Sequence, residues 1–111
     1  MPTLFEKIIA REIPADILHE DGQCVAFRDI NPQAPLHALV VPKKVIAILG
    51  DMTAADAPLV GHLLKVAGDV AKAQGHDDFR VAINSGGGAG QEVFHLHVHV
   101  LAGRDFTWPP G

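Results

Sequence analysis

His95-Leu96-His97-Val98-His99 sets three imidazoles at strict period two. On an extended strand that spacing puts all three on one face, about 6.6 Å apart at roughly 3.3 Å rise per residue. A lone strand histidine is usually a satisfied structural residue, whereas three in alternate register point to chemistry. Two chemistries fit. Imidazole can act as a nucleophile, or His-x-His pairs can ligate zinc, with Asp29 or His37 supplying a further ligand. Just upstream, Ser85-Gly86-Gly87-Gly88-Ala89-Gly90 can turn successive backbone N–H groups toward an anion, the geometry of a phosphate nest. It is not a Walker A loop, because no Gly-Lys-Ser/Thr follows. The loop feeds into the histidine run through Gln91 and Glu92. A histidine beside a phosphate nest suggests phosphoryl or nucleotidyl transfer through a histidine-bound intermediate. Other nucleophiles are scarce: tyrosine is absent, and the single serine, Ser85, is not in a Gly-x-Ser-x-Gly turn. Cys24 opens the apolar run Cys24-Val25-Ala26-Phe27 and reads as core.

These groups need elements to hold them. Thr3-Leu4-Phe5-Glu6 has the spacing of a capping box, and Leu4, Phe5, Ile8 and Ile9 recur at helical spacing, which predicts a short helix to about Arg11. Ile17 to Glu20 and Cys24 to Arg28 read as two strands around Asp21-Gly22, a hairpin signal. Asn31-Pro32-Gln33-Ala34-Pro35 cannot continue a ladder. His37 to Val41 is the next strand, ended by Pro42. Thr53-Ala54-Ala55-Asp56 offers a second cap, after which Leu59, Leu63, Val66, Ala67, Val70 and Ala71 predict one long helix closed by Gly75. Phe79 to Asn84 and Phe94 to Leu101 complete five strands. Alternation then sorts their side chains into two faces. Ala26, Ala38, Val40, Val81, Ile83, Leu96, Val98 and Val100 form an apolar face that suits the long helix. Phe27, Asp29, His37, Leu39, Asn84, His95, His97 and His99 form the other, where titratable groups collect. His19, His62 and His76 fall outside every motif and read as surface or helix residues.

Composition bounds the class. The 111 residues suffice for one domain, and 48% hydrophobic with 20% charged residues is a globular balance. A net charge of −4 argues against a nucleic-acid binder. One cysteine cannot build an internal disulfide or a cysteine-based zinc site, so a reducing compartment is expected. With no apolar run of about 18 residues and no signal-peptide pattern at Met1-Pro2-Thr3, the expectation is a cytoplasmic protein without a membrane partner.

His95-Leu96-His97-Val98-His99-Val100-Leu101 resembles the signature of the histidine-triad nucleotide-binding family. Asp29-Ile30-Asn31-Pro32-Gln33-Ala34-Pro35, Pro42-Lys43-Lys44, Gly90-Gln91 and the terminal Trp108-Pro109-Pro110-Gly111 are similar to its Hint branch, so the resemblance spans residues 1–111 as a single domain. It implies an α+β fold with a five-stranded antiparallel sheet, one long helix and one short helix. It also implies a homodimeric purine nucleoside phosphoramidate hydrolase that releases AMP from adenosine 5′-phosphoramidate and related AMP-amines without a cofactor or metal. By the same resemblance His97 is the nucleophile, His99 contacts the phosphate, and His95 orients His97, partly through its backbone carbonyl. Asp29 holds the ribose hydroxyls and Ile30 packs on the nucleoside. Asn84 reaches the ribose–phosphate region, while Gly90, Gln91 and Glu92 contact the phosphate of AMP or GMP derivatives. Leu4, Phe5, Ile8, Phe27 and Leu39 match the purine slot. Two positions depart from the family pattern. Val45 stands where a histidine often follows Pro-Lys-Lys, leaving His37 as the remaining relay histidine. Glu92 stands where a serine is frequent, which puts a hydroxyl contact there in doubt and a carboxylate near the phosphate. The rival readings are a dinucleoside polyphosphate hydrolase of the same superfamily, a zinc protein, and a nucleotide-responsive interaction protein.

Overall fold

The computed structural model describes residues 2–111, so Met1 and the start of the leader reading lie outside the described residues. The Thr3 capping box forms as expected, with the Thr3 hydroxyl accepting from the Glu6 amide at 3.1 Å and the Glu6 carboxylate accepting from the Thr3 amide at 2.9 Å. It opens α1 (Leu4–Ile9), which stops two residues short of Arg11, a residue at φ 62. Five strands follow: β1 (Ile17–Glu20), β2 (Cys24–Arg28), β3 (Leu36–Pro42), β4 (Arg80–Ala82) and β5 (Val98–Ala102), with α2 (Ala57–Ala73) between β3 and β4. They form one antiparallel sheet in the order β1-β2-β3-β5-β4. The Thr53–Asp56 box also forms, but it closes a 3-10 turn (Ala54–Asp56) that leads into α2. Among the described residues no helix is long and apolar enough to cross a membrane.

Both faces sort as the alternation predicts. Ala26, Ala38, Val40, Leu96, Val98 and Val100 are fully buried against Leu63, Val66, Ala67 and Val70 of α2, with Val81 and Ile83 packed at the margin. Each large aliphatic side chain removed from water there contributes roughly 1.5–3 kcal/mol. On the opposite face Phe5 and Ile8 of α1 pack with Val25, Phe27, Leu39 and Val41 in a smaller apolar cluster. α1 covers only part of that face, and the remainder is left to the polar residues.

Two strands are shorter than the sequence predicts, and the reason matters for the site. Only Arg80–Ala82 of the expected 79–84 pairs in the ladder. The expected strand from Phe94 starts its ladder at Val98, which pairs with Val40. Continuing the register would bring Leu96 opposite Pro42, which has no N–H to give. The Leu96 amide instead donates to the Ile46 carbonyl at 2.6 Å, and the Pro42 carbonyl is taken by the His95 side chain. His95 and His97 therefore stand on the segment leading into β5, and His99 stands within it.

Candidate active site

The uncovered part of the face opposite α2 is a cleft of about 510 Å³, within the range of small-molecule sites. Its apolar wall is Leu4, Phe5, Ile8, Phe27 and Leu39, and its polar wall includes Asp29, His37, Asn84, Gly90, Glu92, His97 and His99. Ile30 stands at the mouth with its side chain 97% exposed. The structure thus brings together most of the residues singled out from sequence. His95 and Gln91 do not line the cleft, because both are buried behind it.

Fixed donors and acceptors decide which nitrogen of each ring carries a proton. His95 Nε2 lies 2.7 Å from the Pro42 carbonyl, which can only accept, so that nitrogen is N–H. His95 Nδ1 then accepts from the Thr3 hydroxyl at 3.0 Å, while that oxygen accepts the Glu6 amide. His97 Nδ1 lies 2.8 Å from the His95 carbonyl and must donate to it. Neutral His97 therefore carries a lone pair on Nε2, which has no protein partner among the described residues. The Phe5 ring meets the His97 ring edge-on at 4.9 Å and fixes its plane.

A second chain runs through His37. The Gln33 amide donates to His37 Nδ1 at 3.0 Å, so neutral His37 carries its proton on Nε2, 2.9 Å from His99 Nδ1. His99 accepts there and holds its own proton on Nε2. Asp29 Oδ2 lies 3.5 Å from His37 Nε2, and Asp29 Oδ1 accepts the Asn31 amide at 2.9 Å. Burial holds His37 and His95 below the usual imidazole range, and burial with the neighbouring rings of His97 and His37 pushes His99 down to about 4. With both rings neutral the cleft thus presents two unlike nitrogens side by side: a lone pair on His97 and an N–H on His99, with ring centres 4.9 Å apart. Ligating atoms of Asp29, His37 and His99 lie within 4.8 Å of one another, so these three are the residues of the cleft that could hold a cation.

The glycine loop differs from an open nest. Gly86 and Gly90 take φ of 94° and 95°, which only glycine adopts without strain, and they bracket a 3-10 turn at Gly87–Ala89. That turn consumes the amides of Ala89 and Gly90, and the Gln91 amide returns to the Gly86 carbonyl. The loop instead delivers its far end, Gly90, Glu92 and Val93, to the cleft. The buried Gln91 side chain holds this shape, accepting from the Gly86 amide at 2.8 Å and donating to the carbonyls of Ala47 (2.8 Å) and Val93 (3.0 Å). Sequence reasoning missed the tie from Thr3 to His95, which joins groups 92 residues apart, and missed Ile13, Pro14, Ala15 and Val93 in the cleft wall. Val45, the first departure, lies outside the cleft, half-exposed.

Such a fold, with two histidines of a triad on a cleft and the third buried behind them, defines a histidine-triad protein, and the comparisons agree. The HIT domain family model matches residues 10–106. An uncharacterised HIT-like protein of Synechocystis sp. is 56% identical over 98% of this chain and 96% of its own length. A 14 kDa zinc-binding protein of Zea mays is 49% identical over 99% of this chain and 88% of its own. The crystal structure of a HIT family hydrolase from Legionella pneumophila superposes with a TM-score of 0.96 at 46% identity, covering 99% of this chain and 100% of that one. The chain belongs to the histidine-triad family, and its fold and relatives are those of a HIT family hydrolase.

Proposed function

We propose that the protein hydrolyses purine nucleoside phosphoramidates, releasing AMP or GMP from their 5′-linked amines, through a covalent nucleotidyl-His97 intermediate. The observation that carries this reading is the tautomer of His97: its Nδ1–H is fixed on the His95 carbonyl, so its free lone pair is on Nε2. In the first step Nε2 attacks the α-phosphorus, the phosphorus–nitrogen bond breaks, and the amine leaves with a proton drawn from water at the cleft mouth. The positive charge formed on His97 is stabilised by the His95 carbonyl. In the second step water attacks phosphorus, the bond to His97 breaks, and the nucleoside monophosphate departs.

The other residues take roles that their positions support. His99 Nε2–H donates to a phosphoryl oxygen, and His37 keeps that proton on Nε2 by donating to the other ring nitrogen. Glu92 and Val93 line the cleft, and their amides, unpaired among the described residues, are free to donate to the same oxygens. Asp29 has accepting capacity left for the two ribose hydroxyls. Asn84 lies between ribose and phosphate, and Phe5, Phe27, Leu39 and Ile30 enclose the base. Gly90 gives the phosphate close backbone approach, whereas Gln91 acts from behind the loop. None of these steps calls for a metal.

The test is direct. Protein mixed with an AMP-amine and quenched rapidly should show, by mass spectrometry, an AMP adduct that maps to His97. Turnover with no adduct on any histidine would overturn the covalent route. Faster turnover of a dinucleoside polyphosphate than of the phosphoramidate would overturn the substrate assignment.

A further inference from the structure

On the face of the sheet opposite the triad, the three residue types left over from the motifs come together. Asp21, in the β1–β2 turn, has one carboxylate oxygen fixed by the backbone: Oδ1 accepts from the amides of Gln23 (2.7 Å) and Cys24 (3.0 Å). Its other oxygen is surrounded. Oδ2 lies 2.8 Å from His19 Nε2, 2.7 Å from His62 Nε2 and 3.5 Å from the Cys24 thiol. His19 lies on β1, Cys24 begins β2 and is fully buried, and His62 comes across from α2. Both rings are half-buried, with side chains 33% and 31% exposed.

As hydrogen bonding alone, this arrangement is over-subscribed. One carboxylate oxygen has two lone pairs, yet two ring N–H groups and a thiol converge on it. The same four side chains offer two imidazole nitrogens, a carboxylate oxygen and a thiolate, the donor types of a four-coordinate zinc site. Donors around a tetrahedral zinc stand about 3.3–3.8 Å apart, from bonds of roughly 2.0–2.3 Å. The ligating atoms of His19, Asp21 and Cys24 already lie within 4.8 Å of one another. His62 Nε2 lies 2.7 Å from the same Oδ2 on a half-buried ring and is the fourth candidate ligand.

We infer that His19, Asp21, Cys24 and His62 form a binding site for a divalent transition cation of the zinc type, separate from the catalytic cleft. Binding balances in atoms and charge. Each imidazole moves its proton from Nε2 to Nδ1 and gives Nε2 to the metal, and Cys24 releases its thiol proton to solvent. Thiolate and carboxylate then neutralise the two positive charges. The bound cation joins the β1–β2 hairpin to α2, which also meet through apolar packing, the His62–Asp21 bond and, at the far end of β2, the Arg28–Gln74 hydrogen bond.

Cys24 is the chain's only cysteine, which makes the test selective. Full-length protein titrated with cobalt(II) should develop a near-ultraviolet thiolate-to-cobalt charge-transfer band that saturates at one equivalent and is abolished by added zinc. Cys24→Ser should remove the band. His62→Gln and His19→Gln should each weaken cobalt binding at least tenfold, whereas His99→Gln in the cleft should leave the band unchanged. Cobalt held by Asp29, His37 and His99 would lack the charge-transfer band, so the two locations are distinguishable. No such band in the wild-type protein, or one that survives both His62→Gln and His19→Gln at full affinity, would overturn the assignment.

Discussion

At the scale of single residues, the proposed chemistry rests on which ring nitrogen holds a proton, and each assignment carries a consequence. His97→Ala removes the nucleophile but leaves the slot and the loop. Turnover should fall by several orders of magnitude while AMP binding, followed by calorimetry, persists. A variant retaining a tenth of the wild-type rate would end the nucleophile assignment. Chelation checks the rival chemistry, since activity lost to a strong chelator and regained only with zinc would transfer the role to a metal. His99 gives a pH prediction. It titrates near 4 in the folded chain and near its ordinary 6.5 when unfolded, so between those values the unfolded chain binds the extra proton. Stability is therefore full above about pH 6.5 and is lost as pH falls toward 4, with His37 and His95 acting in the same direction. The carboxylates whose pKa is lowered titrate below their ordinary 3.8, outside this window. Thermal unfolding of wild type should show the loss, and His99→Gln should flatten it. An unchanged profile would show that His99 is not held neutral by burial.

At the scale of elements, what was legible and what was not divide along a physical line. Periodicity and caps are local, so both helices, the hairpin at Asp21-Gly22 and the two sheet faces could be read from residues such as Thr3, Leu63 and Val100. Strand lengths depended on the partner: β5 could not be bounded without knowing that Pro42 lies where its ladder would continue. The functions of Thr3 and Gln91 were hidden for the same reason, since their partners lie far along the chain or in loop backbone. Both ties can be measured. Thr3→Ala removes a helix cap and the partner of the fully buried His95 Nδ1, so it should cost about 1–3 kcal/mol in urea unfolding. Gln91→Ala strips three hydrogen bonds from the glycine loop, and at about 1 kcal/mol each should cost roughly 3 kcal/mol. It should also weaken nucleotide binding, although Gln91 does not itself line the cleft and reaches it only through the Val93 carbonyl. Equal affinity in this variant would show that the loop keeps its shape without Gln91.

At the scale of the whole molecule, the C-terminal tail raises the question of assembly. Its start is anchored, at Phe106 and Thr107. Phe106 lies beneath the guanidinium groups of Arg104 and Arg80, at 4.3 and 5.1 Å, and Arg80 donates to the Thr107 carbonyl at 3.1 Å. The next residue, Trp108, is held out with 82% of its surface exposed, and two prolines after it cannot join a ladder. Ile30 at the cleft mouth and half-exposed Phe94 add further apolar surface. An anchored segment that presents an indole to water is costly for an isolated chain and ordinary at an interface, where tryptophan is among the commonest anchors. We expect a two-fold dimer in which each tail helps to shape the partner's leaving-group pocket. Sedimentation should then give twice the chain mass. Deleting 106–111 should change preference among leaving amines more than affinity for AMP, because the residues proposed to hold AMP all precede the tail. A monomer at micromolar concentration, or a deletion with unchanged amine selectivity, would remove the dimer from the mechanism while leaving the chemistry assigned to His97 intact.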